Sequence, residues 1–145
     1  MSSSVLCAVD ISNPDSDAPI LKQAARLADL DGARLDVVTV LPDFGETWVS
    51  GFFEAGHHDK AVKAAHDTLV QLCTQTLGAE RNADIRHVVA TGTAYKEILK
   101  TAEGAGSDLI VVGAHKPDLA DYLLGPNAAR VVRHAPVSVY VVRAG

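Results

Sequence analysis

The chain has few aromatic residues, few cysteines and no long hydrophobic run, and each scarcity narrows what it can be. Aromatic residues make up only 5% of the 145 positions, yet hydrophobic residues make up 48%, enough for the core of a single domain over residues 1–145. No apolar run approaches the roughly 20 residues that cross a bilayer, and the first residues lack the positive charge of a signal peptide. Cys7 and Cys73 are too far apart in sequence for a CxxC motif. We expect both to be buried, reduced thiols of a cytoplasmic protein.

Common catalytic motifs are also missing. The sequence contains no GxSxG, no HExxH, no Walker P-loop and no GxGxxG. It supplies no activated nucleophile and no matched acid and base, so we expect any hydrolysis to be slow and name no catalytic residue. His58 and His66 lie more than two helical turns apart, and with His57 they are predicted to be solvated histidines rather than metal ligands.

Positive charge is in the minority and is concentrated near the end of the chain. Residues 1–112 carry 9 Lys/Arg against 16 Asp/Glu, a net −7, whereas residues 113–145 carry 4 against 2, a net +2. The overall charge of −5 argues against a nucleic-acid surface, and the basic end suits a small anion. Alternatively, these arginines could simply complement a helix dipole.

Strand and helix patterns alternate along the chain. Short apolar runs, typical of strands buried on both faces, occupy Ser4–Asp10, Leu35–Leu41, Ile85–Ala90, Asp108–Val112 and Val137–Arg143. Helical patterns separate them, the first capped by Asp17 and closed by Gly32, and an irregular excursion covers Phe44–Gly56. The order predicts a three-layer α/β/α fold whose five-stranded, parallel, doubly wound sheet has the flavodoxin-like order 3-2-1-4-5. Its ligands would bind at the carboxyl ends of the strands.

Two glycines in the last third of the chain indicate what that ligand could be. Gly113 follows the fourth apolar run and is predicted to form a turn, and Gly125 precedes a short basic helix. Backbone amides freed by such turns, close to a helix N-terminus, bind phosphate. The sequence therefore predicts a nucleotide site at these turns.

These residues resemble the universal stress protein family over essentially the whole chain. The similarity is carried by an Ala-Val-Asp first strand, a Val-Thr-Val second strand and the Gly92-Thr93 turn. A C-terminal block like that of the F/G-type single-domain branch reads His115-Lys116-Pro117-Asp118, Tyr122-Leu123-Leu124-Gly125-Pro126-Asn127-Ala128-Ala129 and Val131-Val132-Arg133-His134-Ala135. The resemblance implies an adenine nucleotide α-hydrolase-like fold and a stress-response role. It also implies an adenine nucleotide ligand (ATP, ADP or AMP), with Mg²⁺ as a further candidate.

The phosphate motif departs from that of the ATP-binding members, which carry Gly-x2-Gly-x9-Gly followed by Ser or Thr. Lys116 replaces the second glycine and the spacing to Gly125 is one residue short, two departures that the F/G-type branch shares. Pro126 stands where Ser is expected, which removes a hydroxyl and a backbone N–H. Two lost phosphate bonds of about 1.5–3 kcal/mol each would weaken binding by about 10²–10⁴. Lys116 and Asn127 could restore part of this, or Pro126 could only start a helix.

The resemblance further implies where the base would lie. It places the base against the backbone at Ala8, Val9, Asp10 and Val40, with Asp10 bonding a ribose hydroxyl or a base amine. Alternatively, Asp10 could only stabilise its own turn. The full expected nucleotide set is Ala8, Val9, Asp10, Val40, Gly113, His115, Lys116, Gly125, Pro126, Asn127 and Ala128.

The last strand is predicted to be an exposed sheet edge, a feature that proteins usually cover. The family's habit of pairing this strand implies a homodimer through Val137, Val139, Tyr140 and Val141, with no nucleic-acid or membrane partner. Two other functions stay open: a nucleotide-independent interaction protein with a degraded phosphate site, and a very weak ATPase.

Overall fold

One parallel sheet organises the protein, whose computed structural model describes residues 3–42, 55–114 and 126–143. The strands are β1 (Ser4–Ala8), β2 (Arg34–Leu41), β3 (Arg86–Thr91), β4 (Leu109–Ala114) and β5 (Ser138–Arg143). The helices are α1 (Pro14–Asp31), α2 (Ala55–Leu77), α3 (Ala79–Asn82), α4 (Ala94–Ala105) and α5 (Pro126–His134). The strand order is β3-β2-β1-β4-β5 and every pairing is parallel, which confirms the predicted doubly wound sheet.

The central strands are mostly apolar because helices cover both faces of the sheet. Helices α1 and α2 pack on the face that carries Val5, Cys7 and Val37, and helices α4 and α5 pack on the face that carries Leu6 and Val38. Successive side chains of a strand point to opposite faces, so a strand buried on both faces is apolar at most of its positions.

The two cysteines are buried free thiols, as predicted, and both lie in the core beneath α1 and α2. Burial raises the pKa of Cys73 to about 11. Burial, and then the nearby Cys73 and Asp17, raise the pKa of Cys7 well above its ordinary value. Both side chains are therefore neutral apolar groups at physiological pH.

Helix α1 begins earlier than the sequence pattern predicts. It starts at Pro14, whose missing N–H costs nothing in a first helical turn. Asp17 therefore lies inside the helix and is not its cap, which corrects the prediction. It is buried, and its carboxylate accepts a hydrogen bond from the Asp10 backbone N–H. Gly32 ends the helix in the left-handed conformation, with φ of 61°, as predicted.

Two strands and one loop also differ from their predicted bounds. Strand β1 ends at Ala8 rather than at Asp10, and Gly113 lies within β4, opposite Val142, rather than in a turn. Helix α2 already begins at Ala55, so the predicted excursion is shorter, and the rest of it lies outside the described residues.

A buried polar network stabilises the amino-terminal end of the sheet. The fully buried Asp36 accepts hydrogen bonds from Arg34 Nε at 3.2 Å and from Ser4 Oγ at 3.2 Å. Arg34 also donates to the Ala105 carbonyl at the end of α4, at 2.9 Å. The network ties β1, β2 and α4 together at the end of the sheet opposite the strands' carboxyl ends.

Within the described residues, no helix is both long enough and apolar enough to span a membrane.

Candidate functional site

A cleft opens at the carboxyl end of the sheet because the central strand is shorter than its neighbours. Strand β1 stops at Ala8, opposite Val38, whereas β2 continues to Leu41 and β4 to Ala114. The helix after β1 packs on one face of the sheet and the helix after β4 packs on the other, which makes this a point of divergence in the doubly wound sheet. Such a divergence is where doubly wound sheets bind ligands. The cleft has a volume of about 640 Å³, within the range of small-molecule sites.

Most of the predicted nucleotide-binding residues line this one cleft. They are Ala8, Val9, Asp10, Val40, Gly113, Asn127 and Ala128. Pro126 is the first residue of α5, immediately before two of these lining residues. The predicted residues His115, Lys116 and Gly125 lie outside the described residues.

The backbone N–H and C=O of Val40 lie at the cleft. The Val38 carbonyl faces β1, since it accepts the Val9 N–H at 2.9 Å. Peptide groups two residues apart on a strand point the same way, so the N–H and C=O of Val40 also point to the β1 side. There β1 has ended, and no backbone group in the described part of the chain bonds to them. A donor and an acceptor thus lie side by side, open to a ligand.

The walls around these groups are apolar. Ile20 lies on one side of the sheet and Ile98 on the other, with Val38, Val112 and Pro42 between them. Pockets of this kind hold a flat apolar ring and orient it through a few polar groups. The sequence predicted the strand ends in the site but not the contribution of Ile20, Ile98 and Pro42, which depends on how the helices pack.

The described lining of the cleft is poor in cations. It includes Ser12, Ser16 and Asn127 but no lysine or arginine. Among the described residues there is also no group of three or more His, Cys, Asp or Glu side chains that could hold a metal ion. Mg²⁺ is commonly bound by one or two carboxylates together with substrate phosphates. These residues fit Mg²⁺ only as an ion that arrives with a phosphate ligand.

Asp10 faces the cleft and also stabilises its own loop. Its Oδ1 accepts from the Ser12 N–H at 3.0 Å and from Ser12 Oγ at 2.5 Å, and its Oδ2 accepts from Asn13 Nδ2 at 3.1 Å. This is the self-stabilised turn that the sequence left as the alternative to ribose binding.

Gly113 allows helix α1 to lie close against β4 at the wall of the cleft. A Cβ added to this glycine would lie 2.1 Å from Ile20 Cδ1 and 2.9 Å from Ile20 Cγ1. The sequence assigned this glycine to a phosphate-binding turn. Gly113 lies inside β4 at the wall of the cleft, where the lack of a Cβ also makes room for Ile20.

Strand β5 forms one edge of the sheet, as predicted. Val137, Val139 and Val141 are half-buried against the core beneath α4 and α5. Tyr140 points to the other face, is 39% exposed, and its hydroxyl accepts a hydrogen bond from Gln23 Nε2 at 2.9 Å. Of the four predicted interface residues, Tyr140 alone is exposed.

Known proteins that resemble this chain in sequence or fold belong to one family. The family model described as "Universal stress protein family" matches residues 1–143. Universal stress protein G of Escherichia coli O157:H7 is 41% identical over 59 residues, a match that covers 41% of this chain and only 42% of that protein. Among solved structures, protein MJ0577 of Methanocaldococcus jannaschii has a TM-score of 0.78 at 22% identity, covering 100% of this chain and 98% of that one.

A second solved structure contains a nucleotide. The universal stress protein from Archaeoglobus fulgidus in complex with dAMP has a TM-score of 0.69 at 22% identity, covering 96% of each chain. At such identity the likeness shows the fold. Because the family model matches residues 1–143, nearly the whole chain, this chain belongs to the universal stress protein family.

Proposed function

We propose that this protein is a stress-response module that binds an adenine nucleotide and acts as a cytoplasmic homodimer. One observation carries the proposal. The N–H and C=O of Val40, to which no described backbone group bonds, lie at an apolar cleft at the carboxyl end of the sheet. The dAMP complex of the Archaeoglobus fulgidus protein, which has the same fold, supports it. The two buried free thiols suit a reducing compartment.

The Val40 backbone is complementary to adenine. Adenine carries an amine donor next to a ring-nitrogen acceptor. The Val40 carbonyl would accept from the amine while its N–H donates to the ring nitrogen, with the base lying between the apolar walls. Guanine has a carbonyl oxygen where adenine has the amine, so it would set two acceptors against each other. The cleft should therefore prefer adenine, because an unpaired buried acceptor costs about 1–3 kcal/mol.

The phosphate end of the cleft is weaker. Helix α5 begins there, and its N-terminal backbone attracts an anion. However, Pro126 contributes no N–H, and the described lining offers no lysine or arginine. We therefore expect AMP and ADP to bind at least as tightly as ATP, because the γ-phosphate gains few additional bonds.

Calorimetric titration with AMP, ADP, ATP, cyclic AMP and GMP tests the proposal. Ala94→Phe should abolish binding, since Ala94 lines the cleft and the added ring would occupy the space of the base. Lys100→Phe is the matched control, because it adds the same ring to an exposed position of the same helix. No heat from any adenine nucleotide at millimolar concentration, with correctly folded protein, would contradict the proposal.

The homodimer is tested by multi-angle light scattering at micromolar concentration. Among the described strands, β5 lies at an edge of the sheet with β4 on one side, and a second copy could pair with its other side across a two-fold axis. Tyr140→Lys should shift the mass toward that of a monomer, since a lysine on an edge strand opposes pairing. Tyr140→Phe loses only the Gln23 hydrogen bond and should stay dimeric. A monomeric mass for the unmodified protein would refute this part.

A second function, nucleotide-independent protein interaction, is favoured by one observation. The Asp10 carboxylate is already bonded within its own loop by Ser12 and Asn13. If that is its whole role, the cleft is a remnant and the dimer alone is functional. The same calorimetric titration distinguishes the two functions, because only nucleotide-independent interaction is consistent with no binding of any nucleotide.

A further inference from the structure

Two histidines that are distant in sequence meet on the face of the sheet covered by α2. His66 lies in α2 and His87 lies in β3, and their ring centres are 5.9 Å apart at an angle of 74°. Neither residue lines the nucleotide cleft. The side chain of His66 is 49% exposed, so solvent reaches the pair.

A hydrogen bond fixes the tautomer of His87. Its Nε2 lies 2.7 Å from Asn82 Oδ1. An amide oxygen can only accept, so Nε2 carries the proton and Nδ1 keeps its lone pair. Burial, and then the neighbouring His66, lower the pKa of His87, which favours this neutral ring. Metal-bound histidines have the same arrangement: one ring N–H donates to an oxygen and the other nitrogen binds the metal.

The separation of the rings is compatible with a shared metal ion. With metal–nitrogen bonds of about 2.0–2.1 Å, each ring centre lies about 3.2 Å from the ion, so two rings sharing it are at most about 6.4 Å apart. At a tetrahedral angle they would be about 5.2 Å apart. The observed 5.9 Å falls between these values.

The surroundings also favour a cation. Asp67 Oδ1 lies 3.9 Å from His66 Nδ1, and Asp59 lines the same shallow cavity of about 560 Å³ beside His66. Lys63 also lines this cavity, and its positive charge opposes a cation. The carboxylates of Asp59 and Asp67 together exceed that single positive charge.

We propose that His66 and His87 form a two-histidine site for a divalent transition-metal ion of the imidazole-preferring class, with Zn²⁺ and Cu²⁺ as its probes. Within the described ranges no third His, Cys, Asp or Glu completes the coordination, so water fills the remaining positions. Cu²⁺ binds more tightly than Zn²⁺, following the usual order of affinities. The site is independent of the nucleotide cleft and does not require the proposed function.

Metal titration of the full chain in chelator-free buffer, followed by NMR of the imidazole nitrogens, tests the site. One equivalent of Zn²⁺ should shift the His66 and His87 signals together and leave those of His134 unchanged. His66→Gln and His87→Gln should each weaken binding at least tenfold. His134→Gln, at an exposed position in α5, is the matched control and should bind as the unmodified protein does.

A further variant separates metal binding from folding. Asn82→Ala leaves both histidines in place but removes the orienting hydrogen bond, and should weaken binding by about 10–100-fold. Circular dichroism checks that each variant is folded. The NMR titration uses the unmodified protein, so it tests the site even if a variant fails to fold. Zn²⁺ shifts confined to other histidines, or unchanged affinity in both His66→Gln and His87→Gln, would overturn the proposal.

Discussion

Replacing Gly113 with alanine should destabilise the protein through a clash with one identified side chain. The new Cβ would lie 2.1 Å from Ile20 Cδ1 and 2.9 Å from Ile20 Cγ1, both below the roughly 3.5–4.0 Å of an optimal carbon contact. Ile20 is 6% exposed and packs into the core beneath α1 while also lining the cleft, so the clash is relieved only if its side chain turns out of that packing toward the cleft. Overpacking of this kind costs about 1–3 kcal/mol.

The assay is urea unfolding followed by circular dichroism, at one protein concentration so that any dimer contributes equally. For a chain of this length, about 1–3 kcal/mol corresponds to a fall in Tm of about 3–10 °C. Gly104→Ala is the control, because Gly104 lies inside α4 and an added Cβ would meet nothing within 4 Å. That change should stabilise the protein by about 0.5–1 kcal/mol through helix propensity.

A double-mutant cycle identifies the clash as the cause. Ile20→Ala alone should cost about 2–5 kcal/mol, because it removes a buried side chain. In that background Gly113→Ala has no clash left and should cost close to nothing, a coupling of about 1–3 kcal/mol. If Gly113→Ala costs the same with and without Ile20, or costs less than about 0.5 kcal/mol, the close approach of α1 to β4 is not what requires glycine.

Three further predictions concern stability, phosphate binding and the thiols. Asp36→Ala should lower the free energy of unfolding in urea by about 2–4 kcal/mol, because Asp36 is fully buried in its polar network. The control Asp29→Ala should lower it by less than about 1 kcal/mol, because the Asp29 carboxylate is 67% exposed in its ion pair. Equal costs would refute this difference. Pro126→Ser should tighten ATP binding by up to about 10²–10⁴ in calorimetry while changing adenosine binding little; an unchanged ratio would place the phosphates elsewhere. Cys7 and Cys73 should resist thiol reagents at pH 8 in the folded protein and react in denaturant, because only the thiolate attacks. With the pKa of Cys73 raised from 9.0 to about 11, the unfolded chain loses this proton first, so the free energy of unfolding should fall as pH rises through that interval. Rapid native labelling, or stability that does not change over that interval, would contradict the assignment.

Local pattern was sufficient for the architecture because strand and helix periodicities are properties of neighbouring residues. The continuous apolar runs at Leu35–Leu41 and Leu109–Val112 required helices on both faces, and right-handed crossovers then left few strand orders. The helix end at Gly32 was predictable because glycine readily adopts the left-handed conformation that ends a helix, and Gly32 has that conformation. The start of α1 at Pro14 was missed because Asp17 has the side chain of a good cap, and only its burial against Asp10 shows otherwise.

The candidate site was predicted in part. Its strand-end residues, such as Val9 and Val40, were expected in one cleft, and they do line it. The exposure of the Val40 N–H and C=O to the cleft could not be predicted in this way. It follows because β1 ends before β2 does, and this depends on the register between two strands that are separated in sequence. The phosphate residues His115, Lys116 and Gly125 lie outside the described residues, so their role remains a prediction.

The sequence alone determined which segments become strands and helices, in what order they join the sheet, and at which end a ligand would bind. Each of these follows from periodicity and chain connectivity, which residues close in sequence encode. Tertiary structure alone decided that Gly113 makes room for Ile20, that no described backbone group on the β1 side bonds to Val40, and that His66 meets His87. These are contacts between distant segments, and they are fixed by the register and packing of whole elements.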